Sequence, residues 1–257
     1  MVLKNKSISK KSMFCVVAGL LFITASHAYA NCEAEAAPRV NWAGCDKSGQ
    51  DFSGKDLNEA VLSRANLQGA NFSGARLTHA DFNFADISGA KFDKARMQGT
   101  RLVGVKAEKA SFRQSIMDDA SFSRSVMPQA NFEQARLKAA DFYEAKLSGA
   151  NFSKATLTES SFIHAELMHA RFDGADLSRT KMNSALMESA SVISANLNSV
   201  VLDMADLKFV NFTGSDMSKA TIRDAVIDGA IFDDAILDRT IWVDYRRCRA
   251  SAVGSCN

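Results

Sequence analysis

Proline occurs only twice in 257 residues, and no low-complexity stretch interrupts the chain. That argues against a string of domains on long flexible or polyproline spacers. No hydrophobic stretch suits a membrane span: the apolar run Met13 to Thr24 has 12 residues, where about 20 are needed. Neither sign of charge dominates, the formal net charge being +2. That balance points to neither a nucleic-acid binder nor a strongly acidic mimic. The fingerprints of catalysis are missing too. There is no G-x-S-x-G, no H-E-x-x-H, no P-loop and no dinucleotide motif, so a hydrolase of cell-envelope polymers has no recognisable site.

The start reads as an export leader. Lys4, Lys6, Lys10 and Lys11 precede the apolar run, and Ala28-Tyr29-Ala30 offers a small-x-small cleavage site. The expected organisation is a leader at 1–30, an N-terminal cap at 31–51, a repeat region at 52–242 and a C-terminal cap at 243–257. Without the four leader lysines, 27 basic residues face 29 acidic ones.

What the chain has in abundance is a period of five. From Phe52 to Trp242, 39 positions stand five apart without a slip, and all but Ala107 carry a large apolar residue. Two places before each lies a second column. From Ala60 to Thr240 its 37 members are 27 Ala, four Ser, three Thr and three Val. On an extended chain, residues two apart point the same way. Each small–large pair therefore points inward and the residue between them points outward. The remaining two residues must turn the chain, and pairs such as Ser73-Gly74 and Asp173-Gly174 stand there. Such a chain winds into a solenoid whose coils pair by backbone hydrogen bonds about 4.8 Å apart. The core phenylalanines fall only on alternate pentads, which requires an even number of sides. The alanine column requires a narrow interior. Four sides satisfy both.

The segments "ANLQGANFSGA" and "ADISGAKF" resemble the pentapeptide-repeat family. That resemblance implies an all-β, right-handed quadrilateral β-helix, here of about ten coils and roughly 50 Å. The middle residues depart from the family's Asp/Asn preference: 14 of 39 are Asp or Asn, nine are basic and nine aliphatic.

An open coil needs caps at both ends. Outside the leader four cysteines remain, Cys32, Cys45, Cys248 and Cys256. A disulfide needs Cα atoms within about 7 Å, and the rod holds its ends much farther apart. Cys32–Cys45 and Cys248–Cys256 are the pairings left within one chain. The alternative, a zinc site, finds no histidine at ligand spacing. The segments "PRVNWAGCDKSG" and "WVDYRRCRASAVGSC" are also similar to the capping segments of exported pentapeptide-repeat proteins.

Three surface features stand out. Lys91, Arg96, Arg101 and Lys106 are middle residues of successive pentads and form a basic belt. Phe84, Val103, Tyr143, Ile163 and Met204 align at one corner of the solenoid and are the candidate partner face. Val226, Ile231, Ile236 and Ile241 are the middle residues of the last coil and are the candidate dimer contact. His79, His164 and His169 and the Asp118-Asp119 and Asp233-Asp234 pairs occupy corners, where solvated side chains suffice as an explanation. The expected function is a non-enzymatic, exported solenoid scaffold, periplasmic or secreted, without cofactor. Its expected partner is a protein of unknown identity, with nucleic acid disfavoured, no transmembrane segment after cleavage and a homodimer through the C-terminal coil. The rival reading is a DNA-mimic topoisomerase (gyrase)-binding protein, because some members of the resembled family protect topoisomerases. The leader, the near-zero charge and the basic middle residues count against it.

Overall fold

The computed structural model describes residues 30–256. Residues 1–29, on which the leader reading falls, and Asn257 lie outside the described residues.

Every pentad below the last coil makes the same two moves. Its middle residue forms a parallel rung with the residue twenty places on, from Asn41 with Val61 through to Thr221 with Ile241. The chain then turns: Ala75 N–H donates to the Phe72 carbonyl at 3.0 Å, and Gly74 between them has φ +67°. A four-residue turn with positive φ at its third place is the glycine-favouring type. Yet most pentads put another residue there, such as Arg64 (φ 58°) or Lys94 (φ 60°). The left-handed backbone costs such a residue about 1–2 kcal/mol. The rungs offset it, because below the last coil each corner N–H donates to the coil above, as Lys94 does to Arg113 O at 2.8 Å. One circuit takes twenty residues, or four pentads.

The core follows from that arithmetic. Residues twenty apart stack, so Phe72, Phe92, Phe112, Phe132, Phe152 and Phe172 form one ladder with centroids 4.7 to 5.0 Å apart. Phe122, Phe142 and Phe162 form a second ladder, at 4.8 and 4.5 Å. The two ladders meet edge to face, as Phe132 meets Phe142 at 5.8 Å and 88°. Contact across the interior is possible only because the second column is so small. Where that column is hydroxylated, the hydroxyl finds a carbonyl: Thr100 Oγ1 donates to Leu77 O at 3.1 Å and Thr240 Oγ1 to Met217 O at 2.7 Å. Ala107 and Val105 are both fully buried.

Parallel rungs begin at Asn41, two pentads before Phe52, where the hydrophobic register starts, and one corner precedes them: Val40 N–H donates to Ala37 O at 3.2 Å and Arg39 (φ 61°) N–H to Asn58 O at 2.8 Å. Trp42 and Lys47 take core-column places there. Lys47 conceals the register in the sequence, but its ammonium lies 4.7 Å from the Trp42 ring centroid, an attraction that offsets its displaced position. Trp42 seals the first coil. It is buried, packs on Phe52 at 5.0 Å and donates Nε1–H to Ala34 O at 3.1 Å. Cys32–Cys45 ties the preceding segment to this coil, and Cys248–Cys256 closes the tail at the other end.

Candidate interaction surfaces

Because residues twenty apart are neighbours, the outer surface is laced by ion pairs at that spacing. Arg76–Asp56 (2.6 Å), Arg101–Asp81 (3.0 Å), Arg124–Glu144 (3.0 Å) and Arg179–Glu159 (3.1 Å) are examples. The basic belt is thereby partly neutralised. Arg101 is paired with Asp81, whereas Lys91, Arg96 and Lys106 have no ion pair among the described residues. A shallow groove lies at the corner formed by Ser73, Gly74, Asp93, Lys94, Arg113 and Gln114. Its charges are largely committed, since Asp93 accepts the Ser111 hydroxyl and Arg113 N–H, and Arg113 faces Glu133 at 3.4 Å. Among the described residues no group of three His, Cys, Asp or Glu is placed to hold a metal ion. No described helix is long and apolar enough to cross a membrane.

The five candidate partner-face residues share one corner, but the structure groups them unevenly. Phe84 N–H donates to Val103 O at 2.9 Å, so these two lie on adjacent coils. Phe84 also lies against the backbone of Gly104 on that next coil: a Cβ there would meet its ring at 2.7 Å. The corner's glycine is required for that close approach. Tyr143 and Ile163 form a second pair of neighbours, joined through Glu144 N–H to Ile163 O at 3.1 Å. Ser123 separates these pairs, and the coil of Asn183 separates Ile163 from Met204, which sits beside Asp203. The strip is therefore a row of small patches.

The Tyr143 patch has polar neighbours that hydrophobic spacing alone does not reveal. His164 packs edge-on to Tyr143 at 5.9 Å, and the Arg124 guanidinium lies 6.0 Å from its ring centroid. Glu144 hydrogen-bonds to Tyr143 and to Arg124, in that order of influence, and both hold its carboxyl below the usual range. The same bond to Glu144 raises the Tyr143 phenol above its usual value. The signal in the sequence is Arg and Glu twenty residues apart, legible once the circuit length is known. Farther along the corner, burial pushes the Asp203 carboxyl up. Hydrogen bonds from Arg223 and Thr221 outweigh it, so the net shift is downward. Beside it, the Tyr245 hydroxyl donates to Asp224 and ties the tail to the body.

The four aliphatic middle residues at the C-terminal end all sit on the final rungs. Ile236 and Ile241 form antiparallel bridges to Val253 and Arg247 of the tail. Val226 and Ile231 pair only with the coil below.

A family model for pentapeptide repeats matches residues 43–119 in overlapping copies and again 205–241, and a related repeat-region model covers 103–172. The chain belongs to the pentapeptide-repeat family. Among solved structures it is similar to HetL, a pentapeptide-repeat protein involved in heterocyst differentiation regulation from the cyanobacterium Nostoc sp. strain PCC 7120. The identity is 23%, the TM-score 0.58, and the match covers 82% of this chain and 92% of that one. QnrB1, a plasmid-mediated fluoroquinolone resistance protein, matches at 19% identity and TM-score 0.33 over 68% of this chain and 87% of that one. A pentapeptide-repeat protein of the Arabidopsis thaliana thylakoid lumen matches at 21% identity and TM-score 0.19 over 52% and 79%. No curated protein matches the chain by sequence. The likeness to HetL establishes a right-handed β-helix solenoid and, at this identity, the fold alone.

Proposed function

We propose that this pentapeptide-repeat protein is a non-enzymatic, exported scaffold of about ten four-sided coils that presents a rigid lateral surface to a protein partner and self-associates at its C-terminal end. The observation that carries the reading is the combination of a fixed lattice with a composite patch, a half-buried apolar pair ringed by exposed charged and polar side chains. Tyr143 and Ile163 sit on adjacent coils and are flanked by Arg124, Glu144 and His164. An apolar centre with a polar, charged rim is the usual anatomy of a protein-binding surface. The four-pentad circuit supports the quadrilateral section. Two disulfides, one in each end region, support an oxidising compartment and hence export, with the leader at 1–30 as its vehicle. The decisive experiment is capture of partners by the oxidised protein and by Tyr143→Ala/Ile163→Ser. The double variant should keep its melting point and lose the partner by more than about tenfold, as expected when a central anchor is removed. Undiminished capture of the same partner would remove this face from the proposal.

A further inference from the structure

The C-terminal end of the rod is only half covered. The tail runs back over two adjacent sides: Trp242 N–H reaches Arg246 O at 2.8 Å, Cys248 N–H reaches Thr240 O at 2.9 Å, and Leu237 N–H reaches Ala252 O at 2.7 Å. It ends at the margin of the next side, where Gly254 N–H meets Ala235 O at 2.9 Å. The other two sides carry no such layer. One coil below, Leu207, Phe209, Phe212 and Gly214 donate upward to Val226, Asp228, Ile231 and Asp233. The equivalent donors of the last coil, the N–H groups of Ile227, Gly229, Phe232 and Asp234, have no acceptor among the described residues. Around them Val226 is 40% and Ile231 42% exposed, and Ile227 is half-buried.

An unprotected strand edge of this kind invites another chain. The N-terminal end is guarded differently, with Asp46, Asp51 and Asp56 on its first rungs. The open C-terminal half also carries Asp228, Asp233 and Asp234, exposed and in no ion pair among the described residues. The tail carries the opposite sign in Arg247 and Arg249, likewise exposed and without an ion pair among the described residues. Val253 beside them is 54% exposed. Two open halves laid directly together would oppose N–H with N–H and Asp with Asp. A two-fold axis across the rod end avoids both conflicts. It sets the tail of each copy, which stands one rung or about 4.8 Å proud, into the step left open on the other.

We infer that the occupant of the open half is a second copy of this chain, docked reciprocally, with each Arg247/Arg249 tail lying on the partner's Val226–Asp234 edge. This rests on the self-association proposed above and specifies its geometry.

The test is a charge swap on the disulfide-intact protein, read by sedimentation with melting as the folding control. Asp233→Arg/Asp234→Arg and Arg247→Glu/Arg249→Glu should each weaken the dimer by about 100-fold, the consequence of facing like charges across the contact. Mixed one to one, the two monomeric variants should form a heterodimer, because both of its contacts again join opposite charges. Ile231→Asp should give a monomer that neither variant rescues. A wild type that is monomeric at tens of micromolar would overturn self-association and this geometry together. A dimer that survives both reversals, or two monomeric variants that stay monomeric when mixed, would overturn the interlock. In the first of those cases self-association itself stands.

Discussion

Replacing Phe132 by alanine is the sharpest test of the inward–outward assignment. The side chain is fully buried, stacked between Phe112 at 4.9 Å and Phe152 at 4.7 Å, with Phe122 and Phe142 edge-on at 5.8 Å. Truncating a buried phenylalanine costs about 3–5 kcal/mol, the lost transfer energy plus the cavity left behind. Several factors place this site at the upper end. The rungs hold the coils apart at fixed height, so the cavity cannot collapse. Four ring contacts are lost as well, and each aromatic pair is worth about 0.5–1.5 kcal/mol beyond area, though not additively. The expected loss is thus about 5 kcal/mol. The control is Arg136→Ala, at a middle position, where the ion pair to Asp118 at 2.6 Å is exposed; it should cost about 0.2–1 kcal/mol. Urea melts followed by fluorescence suit the comparison, because Trp42 and Trp242 lie at opposite ends of the solenoid. Equal losses from the two substitutions would refute the packing argument.

Gly104→Ala should destabilise more than Gly69→Ala, since a Cβ at Gly104 meets the Phe84 ring at 2.7 Å and one at Gly69 meets nothing within 4 Å. Phe84→Ala in the same chain should remove the difference in thermal melts, leaving the left-handed backbone cost of about 1–2 kcal/mol at both. The lowered pKa of Asp203 stabilises the fold fully above the ordinary value of 3.8, and that contribution disappears as pH falls through the lowered folded value. Asp203→Asn should therefore melt lower than wild type at neutral pH and converge on it in acid; parallel pH profiles would contradict this. Residues 30–257 of the oxidised protein should titrate no free thiol, and unreduced peptide maps should contain Cys32–Cys45 and Cys248–Cys256 links and no link between the two pairs within a monomer.

Much of this protein is legible without coordinates because its period is local. Inward pairs two residues apart, a corner every five and phenylalanines on alternate pentads follow from side-chain alternation and the need to bury each ring. The cysteine pairings follow from rod length. The same locality explains what could not be read. Lys47 breaks the hydrophobic register, and only the backbone rungs from Asn41 to Val61 and from Asp46 to Asn66 show that winding begins ahead of Phe52. The apolar corner looks continuous in the sequence, but its members fall on coils separated by those of Ser123 and Asn183. The ring of Val226, Ile231, Ile236 and Ile241 looks uniform too. The tail forms rungs with Ile236 and Ile241 and leaves the other two sides open. Which rungs a fifteen-residue segment covers depends on hydrogen bonds between residues far apart in the chain, and no local period encodes that choice.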